Sequence, residues 1–91
     1  MKTTEINKKL AKFLGGYEVE EFEDFYNDWN WLMLVVEKIE KTNEGTLIIQ
    51  SKGIVDISFN GETRTFYTGN LIDNVYEACN IFVDWYNEQN L

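Results

Sequence analysis

The sequence predicts an α+β domain in which a small antiparallel three-stranded sheet packs with three helices, in the order α-α-β-β-β-α. Two segments before residue 45 and one after residue 70 carry apolar residues at helical spacing. The residues from 46 to 67 are rich in β-branched side chains and contain Asn60-Gly61, a strong signal for a two-residue hairpin turn. The 91 residues include three Trp, five Tyr and six Phe, so we expect residues 1–91 to bury one core as a single domain.

The first helix is predicted near the amino terminus. Its apolar face would consist of Ile6, Leu10 and Phe13. Thr3 or Thr4 can cap its start, and Gly15-Gly16 is expected to end it. Residues 17–26 then mix acidic and aromatic side chains. They fit either an acidic loop or a short strand that contains Tyr17 and Val19.

The second helix is the clearest in the sequence. Asn27 is the predicted N-cap, and the charge of Asp28 suits the positive end of the helix dipole. The helix is expected to end at Asn43-Glu44-Gly45. Its predicted apolar stripe is Trp29, Leu32, Met33, Val36 and Ile39. This stripe assigns Trp29 to the core and leaves Trp31 on the surface.

Three strands are predicted to follow. They are Thr46–Gln50, Ile54–Phe59 and Thr63–Tyr67. A two-residue turn at Asn60-Gly61 fixes the pairing of the last two. It pairs Phe59 with Glu62, Ile57 with Arg64 and Val55 with Phe66.

This pairing separates the two faces of the sheet, because side chains alternate along a strand. The core face would contain Val55, Ile57, Phe59 and Phe66, and the other face Asp56, Ser58, Thr63 and Thr65. Helices could cover one face or both, since the run Leu47-Ile48-Ile49 is apolar at both parities.

The third helix is predicted to begin after Asn70, with Asp73 completing a variant of the capping box. Its buried stripe would be Ile72, Val75, Cys79, Phe82 and Tyr86, with Leu71, Ala78 and Trp85 beside it. Four acids fall within about one quadrant of the opposite side. This acidic stripe consists of Asp73, Glu77, Asp84 and Glu88.

Charge is distributed unevenly along the chain, which has a net charge of −8. The first twelve residues contain four Lys and one Glu, whereas the segment 18–28 contains six acids. Such a field repels polyphosphates, so direct binding of DNA or RNA is disfavoured. No apolar run approaches the length of a membrane span, and the single cysteine, which cannot form an internal disulfide, fits a reducing cytoplasm.

Reactive groups are few. The chain has no His, and its single Cys79 falls on an apolar stripe, which favours a buried thiol over a nucleophile. Carboxylates from Glu18 to Asp24 could hold a divalent cation or perform acid–base chemistry, but a solvated acidic loop suits the pattern better. We therefore predict no catalytic residue, no metal ligand and no cofactor, and we expect the protein not to be an enzyme.

Two surfaces are candidates for binding a partner protein. The acidic stripe could imitate nucleic-acid phosphates in a basic groove, or it could serve only as a solubilising face. Trp31 and Leu34 point away from the predicted stripe of the second helix, with Lys38 and Lys41 beside them. They could anchor an interface, or be covered by the acidic segment or the first helix.

Four segments of the sequence resemble small phage and prophage proteins of Bacteroidetes. They are the run from Asn27 to Glu40 with its two tryptophans, the segments 74–79 and 85–87 near the carboxyl end, and the segment from Ile6 to Gly16. The family is similar to the phage ABA-sandwich domain, in which a sheet lies between helical layers. The position of Leu34 is more often polar in those proteins.

The resemblance implies an accessory protein of a mobile element. Small acidic proteins of this kind often block bacterial immunity, and some anti-CRISPR proteins act on the RNA-targeting effector Cas13b. The leading hypothesis is therefore a phage-encoded inhibitor that binds a host defence protein such as a CRISPR nuclease or its RNA-bound complex. The alternatives are a self-assembling accessory protein, such as a homodimer formed through Trp31 and Leu34, and a metal-dependent hydrolase built on carboxylates.

Overall fold

The computed structural model describes residues 3–15 and 28–89, and it has the predicted order of elements. These are α1 (Thr3–Gly15), α2 (Trp29–Lys41), β1 (Gly45–Ile49), β2 (Val55–Phe59), β3 (Glu62–Phe66) and α3 (Leu71–Gln89). The predictions for residues 17–26 and for Asn27 lie outside the described residues. Thr3 and Thr4 are the first two residues of α1 rather than residues that precede it. In the described part of the chain, no helix combines the length and the hydropathy needed to cross a membrane.

The three strands form one antiparallel sheet in the order β1-β2-β3. Each strand begins and ends within one residue of its predicted bounds. Asn60 and Gly61 both have positive φ (56° and 79°), as a type I′ turn requires. The predicted register is confirmed, with Phe59 opposite Glu62, Ile57 opposite Arg64 and Val55 opposite Phe66.

The described helices cover one face of this sheet. Val55, Ile57 and Leu47 are buried beneath α2 and α3, whereas Ile48 on the other face is 51% exposed. On that other face, polar side chains of β2 and β3 form hydrogen bonds with each other. Thr65 Oγ1 donates to Asp56 Oδ1 at 2.6 Å, and the hydroxyls of Ser58 and Thr63 lie 2.8 Å apart. Residues 3–15 and 28–89 therefore do not provide the second helical layer that the ABA-sandwich resemblance implies.

The core lies where α1, α2 and α3 meet above the sheet. Phe82 of α3 is fully buried at its centre, and it is surrounded by the rings of Phe13, Phe59, Trp85 and Tyr86. α2 and α3 pack directly on one face of the sheet, and α1 packs on α2 and α3. This arrangement leaves one flank of α2 and one flank of α3 at the surface.

Two polar groups are buried within this apolar core. Tyr76 Oη donates to Asn7 Oδ1 at 3.0 Å and joins α3 to α1. Asn74 Nδ2 donates to the carbonyl oxygen of Gly53 at 2.7 Å and joins α3 to the turn before β2. Each bond satisfies a group whose burial would otherwise be costly. Together the two bonds fix the position of α3 relative to α1 and to the turn before β2.

The caps of α2 and α3 differ in how well they were predicted. For α3, the backbone N–H of Asp73 donates to Asn70 Oδ1 at 2.9 Å, which confirms Asn70 as the N-cap. For α2, the N-cap is Asp28, one residue after the predicted Asn27. Asp28 has extended φ and ψ, and its Oδ1 accepts from the backbone N–H of Asn30 at 2.9 Å. The carboxylate therefore both caps the helix and faces the positive end of its dipole.

Replacing Asp28 with alanine is expected to lower the free energy of unfolding by about 1 kcal/mol, because the amide of Asn30 loses its acceptor. Asp28→Asn is the matched control, since asparagine caps helices about as well as aspartate and should retain most of the stability. Urea denaturation of the two variants measures the difference. Equal losses in both would show that charge, rather than the capping bond, is what matters at this position.

Candidate protein-binding site

An open groove runs between α1, α2 and α3 on the side of the helical layer away from the sheet. Its volume is about 570 Å³. The residues that line it are Leu14, Trp31, Leu34, Glu37, Lys38, Lys41, Thr42 and Tyr86. The groove therefore combines an apolar and aromatic floor with charged groups at its rim. Trp31, Leu34, Lys38 and Lys41 were all part of the predicted surface, whereas Leu14 and Tyr86 were not.

The two tryptophans of α2 are not divided between core and surface as predicted. Trp29 and Trp31 are both half-buried, and both pack against the core. The buried residues of α2 are Leu32, Val35, Val36 and Ile39. Val35 has taken the place that was predicted for Met33, so the buried arc is rotated toward Trp31. The reason is that α2 contacts α1 and α3 as well as β1, and the helical neighbours draw that flank inward.

The same rotation exposes more apolar surface on α2 than the sequence predicted. Leu34 is 44% exposed and Met33 is 40% exposed. A second, smaller depression of about 320 Å³ adjoins the groove and shares Leu34 and Glu37 with it. The apolar surface thus continues from the groove, across Leu34, to Met33. Contiguous exposed apolar surface with a charged rim is typical of a binding site for another protein.

Lys38 has a structural part in the wall of the groove. Its Nζ donates to the carbonyl oxygen of Leu14 at 3.4 Å and lies 5.6 Å from the centre of the Phe13 ring. The lysine therefore interacts with the negative end of the α1 dipole and with an aromatic face at once. It fixes the end of α1 against α2, and this contact positions Leu14 beside the other apolar lining residues.

The acidic stripe of α3 is only partly a free negative surface. Asp84 and Glu88 are exposed, while Asp73 and Glu77 are half-buried. Lys9 of α1 lies against the middle of the stripe, where its Nζ is 2.6 Å from Asp84 Oδ1 and also donates to the side chain of Asn80. The basic amino terminus thus compensates Asp84. Asp73, Glu77 and Glu88 have no ion pair in the described part of the chain.

The structure does not bring the groove and the acidic stripe together. Tyr86 lines the groove, and at about 100° per residue it lies half a turn around α3 from Glu77. The two predicted surfaces therefore face different sides of the molecule. A single compact ligand in the groove would not touch the acidic stripe.

Cys79 is buried, as predicted, and this burial raises the pKa of its thiol because the thiolate is poorly solvated there. Within residues 3–15 and 28–89, no group of three or more Cys, Asp or Glu side chains is placed to hold a metal ion. The carboxylates from Glu18 to Asp24 lie outside the described residues.

Comparison of the chain with protein-family models, curated proteins and solved structures gave no match.

Proposed function

We propose that this chain is a phage- or prophage-encoded, non-enzymatic inhibitor that binds a host defence protein, with CRISPR effector nucleases as the target class. The observation that carries the proposal is the groove whose apolar lining extends onto the exposed side chains of Leu34 and Met33. A side chain inserted beside Trp31 and Leu34 would lose water where it contacts them, and such desolvated aromatic and aliphatic contacts supply much of the affinity of an interface. The phage assignment itself comes from the sequence resemblance.

The charge of the chain favours a basic partner. A net charge of −8 is attracted to the lysine- and arginine-lined channels in which nucleases hold RNA or DNA. Because the acidic stripe lies away from the groove, we assign it to long-range attraction and orientation rather than to contacts inside the groove. Charge of this kind mainly raises the rate of association, while the groove would govern dissociation.

In this structure, Leu34 is a better position than Trp31 at which to test whether the groove binds a partner. Trp31 is half-buried and packs on the core, so Trp31→Ala would alter the fold and the binding surface together. Leu34 is more exposed, and Leu34→Ser should leave the domain folded. Ile48→Ser is a matched control, because Ile48 is a similarly exposed aliphatic residue on the opposite face of the sheet.

The experiment is a protection assay followed by binding kinetics. The domain is expressed in a bacterium that carries an active CRISPR nuclease, and survival of a targeted phage or plasmid is counted. We expect wild type and Ile48→Ser to protect and Leu34→Ser to lose protection, with dissociation from the purified nuclease at least about tenfold faster. Failure of the wild-type domain to protect against any defence system of its natural host would contradict the proposal.

The exposed apolar surface also suits a second candidate function, self-assembly without a host target. Leu34 and Met33 would then meet their copies across a two-fold axis. Gel filtration with light scattering separates the two functions. A dimer that Leu34→Ser dissociates supports self-assembly, whereas a monomer throughout the concentration series removes it.

A further inference from the structure

No strand in residues 3–15 or 28–89 pairs with the outer edge of β3. The sheet order leaves β3 at one side, and Glu62, Thr63, Arg64 and Thr65 are all exposed. α3 packs over β2 and β3, but it leaves these four residues uncovered. An edge of this kind presents unpaired backbone groups that another extended chain can bind.

The register identifies which backbone groups are available. In a hairpin with a two-residue turn, the closing pair, here Phe59 and Glu62, is hydrogen-bonded, and bonded and non-bonded pairs then alternate. Glu62 and Arg64 therefore direct their N–H and C=O groups toward β2. Thr63 and Thr65 direct theirs outward, away from the sheet.

The acidic stripe lies on this same side of the molecule. α2 packs over β1, and Tyr86 on the flank of α3 nearest α2 is half a turn away from Glu77. The acids of α3 therefore face away from α2, toward the β3 side. Together with Glu62, they set five acids against two bases, Arg64 and Lys9, so these residues give the β3 side of the molecule a net charge of −3.

We propose that the outer edge of β3 accepts an extended segment of the partner protein, bearing lysine or arginine, as a fourth strand. The inference rests on the proposed function, because it assumes a protein partner, and it adds a second contact surface to the groove. Main-chain bonds to Thr63 and Thr65 would hold the segment, and its basic side chains on the helical face would meet Glu77 and Glu88. A second copy of this chain fits less well, since its own acidic stripe would face this one.

The test uses the isotope-labelled full chain and two synthetic heptapeptides, one alternating Thr with Lys and the other alternating Thr with Glu. Backbone amide exchange is followed by NMR. At saturation, we expect the lysine peptide to slow exchange of the Thr63 and Thr65 amides at least about tenfold, as a new hydrogen bond to each amide would. The glutamate peptide should leave both amides unchanged.

Two sets of variants separate the backbone from the charge. Thr65→Pro removes one outward N–H without removing a backbone hydrogen bond to β2, and it should abolish binding of the lysine peptide. It also loses the side-chain bond from Thr65 to Asp56, so Thr65→Val, which loses only that bond, is its control and should still bind. The double variant Glu77→Lys with Glu88→Lys should weaken binding about tenfold and leave the fold intact. Its control, Glu40→Lys with Glu44→Lys, makes the same charge change on exposed residues near α2 and should change affinity less than twofold.

Equal protection by both peptides, or protection by neither, would overturn the inference. Protection that grows with protein concentration in the absence of peptide would identify a second copy as the occupant and would also overturn it. The peptide test uses neither the groove nor the nuclease. If the lysine peptide does not bind at β3, the effect of Leu34→Ser on nuclease binding is still valid evidence for the groove. If the peptide binds but Leu34→Ser has no effect, only the groove is rejected.

Discussion

Replacing Phe82 with alanine is expected to lower the free energy of unfolding by about 3–5 kcal/mol. The Phe82 side chain is fully buried, and its ring is the common contact of four other aromatic rings. The distances between ring centres are 6.3 Å to Phe13, 5.5 Å to Phe59, 5.8 Å to Trp85 and 5.7 Å to Tyr86. These rings come from α1, β2 and α3, so a cavity there separates three elements at once and has little means of collapsing.

Urea denaturation followed by tryptophan fluorescence measures this loss. Tyr67→Ala is the matched control, since Tyr67 is an aromatic residue that is 71% exposed, just beyond β3. We expect it to change stability by less than about 0.5 kcal/mol. Similar losses from both substitutions would mean that Phe82 is not at the centre of the core.

Replacing Gly45 with alanine is expected to cost about 1–3 kcal/mol, although only one methyl group is added. A Cβ at this position would lie 2.5 Å from Phe82 Cε1, 2.8 Å from Phe82 Cδ1 and 3.0 Å from Ile39 Cγ2. The ring and the isoleucine are both buried, so neither can move aside freely. Glycine is needed here because β1 starts directly against the aromatic centre of the core.

The cause can be isolated by a double-mutant cycle in which Phe82→Leu supplies the missing space. Gly45→Ala should cost clearly less in the Phe82→Leu background than in the wild type, because the contact between the two sites is relieved. Strict additivity of the two changes in denaturation free energy would refute the steric explanation.

Gly45 also shows where sequence reasoning stops. The sequence placed this glycine at the end of the second helix, where left-handed backbone is common. In the structure α2 ends at Lys41, and Asn43, with φ of 63°, takes the left-handed conformation instead. The real constraint on Gly45 is a ring 37 positions further along the chain, and no local pattern reveals such a contact.

The hairpin was predictable for the opposite reason. Asn60-Gly61 determines its own turn geometry, and the turn determines the register of all five residue pairs between β2 and β3 without reference to the rest of the fold. The buried arc of α2 was less predictable. The spacing of apolar residues shows that the segment is a helix, but which side is buried depends on how many other elements pack against it. The prediction assigned Met33 to the buried stripe and Trp31 to the surface, and it left Val35 out of the stripe. The packing of α1 and α3 rotates the buried arc, so that Val35 is buried, Trp31 is half-buried and Met33 is exposed.

The candidate site was predicted in part. Trp31, Leu34, Lys38 and Lys41 do share a groove, since all four lie on neighbouring turns of one helix. The contribution of Leu14 and Tyr86 could not be predicted, because they reach the groove from elements at the two ends of the sequence. The salt bridge of Lys9 with Asp84 was foreshadowed only by the excess of lysine at one end and of acids at the other.

The pairing of α1 with α3 has a consequence for how the protein folds as it is made. α1 is synthesised before α3, yet its buried partners, including Tyr76 and the aromatic centre at Phe82, lie in α3. Until α3 is made, α1 has only α2 to pack on among the described elements, and the apolar side of the β2–β3 hairpin is uncovered. Contacts between such distant segments are slow to form. Both halves of the core are therefore exposed at that stage, when a net charge of −8 helps to keep the chains apart.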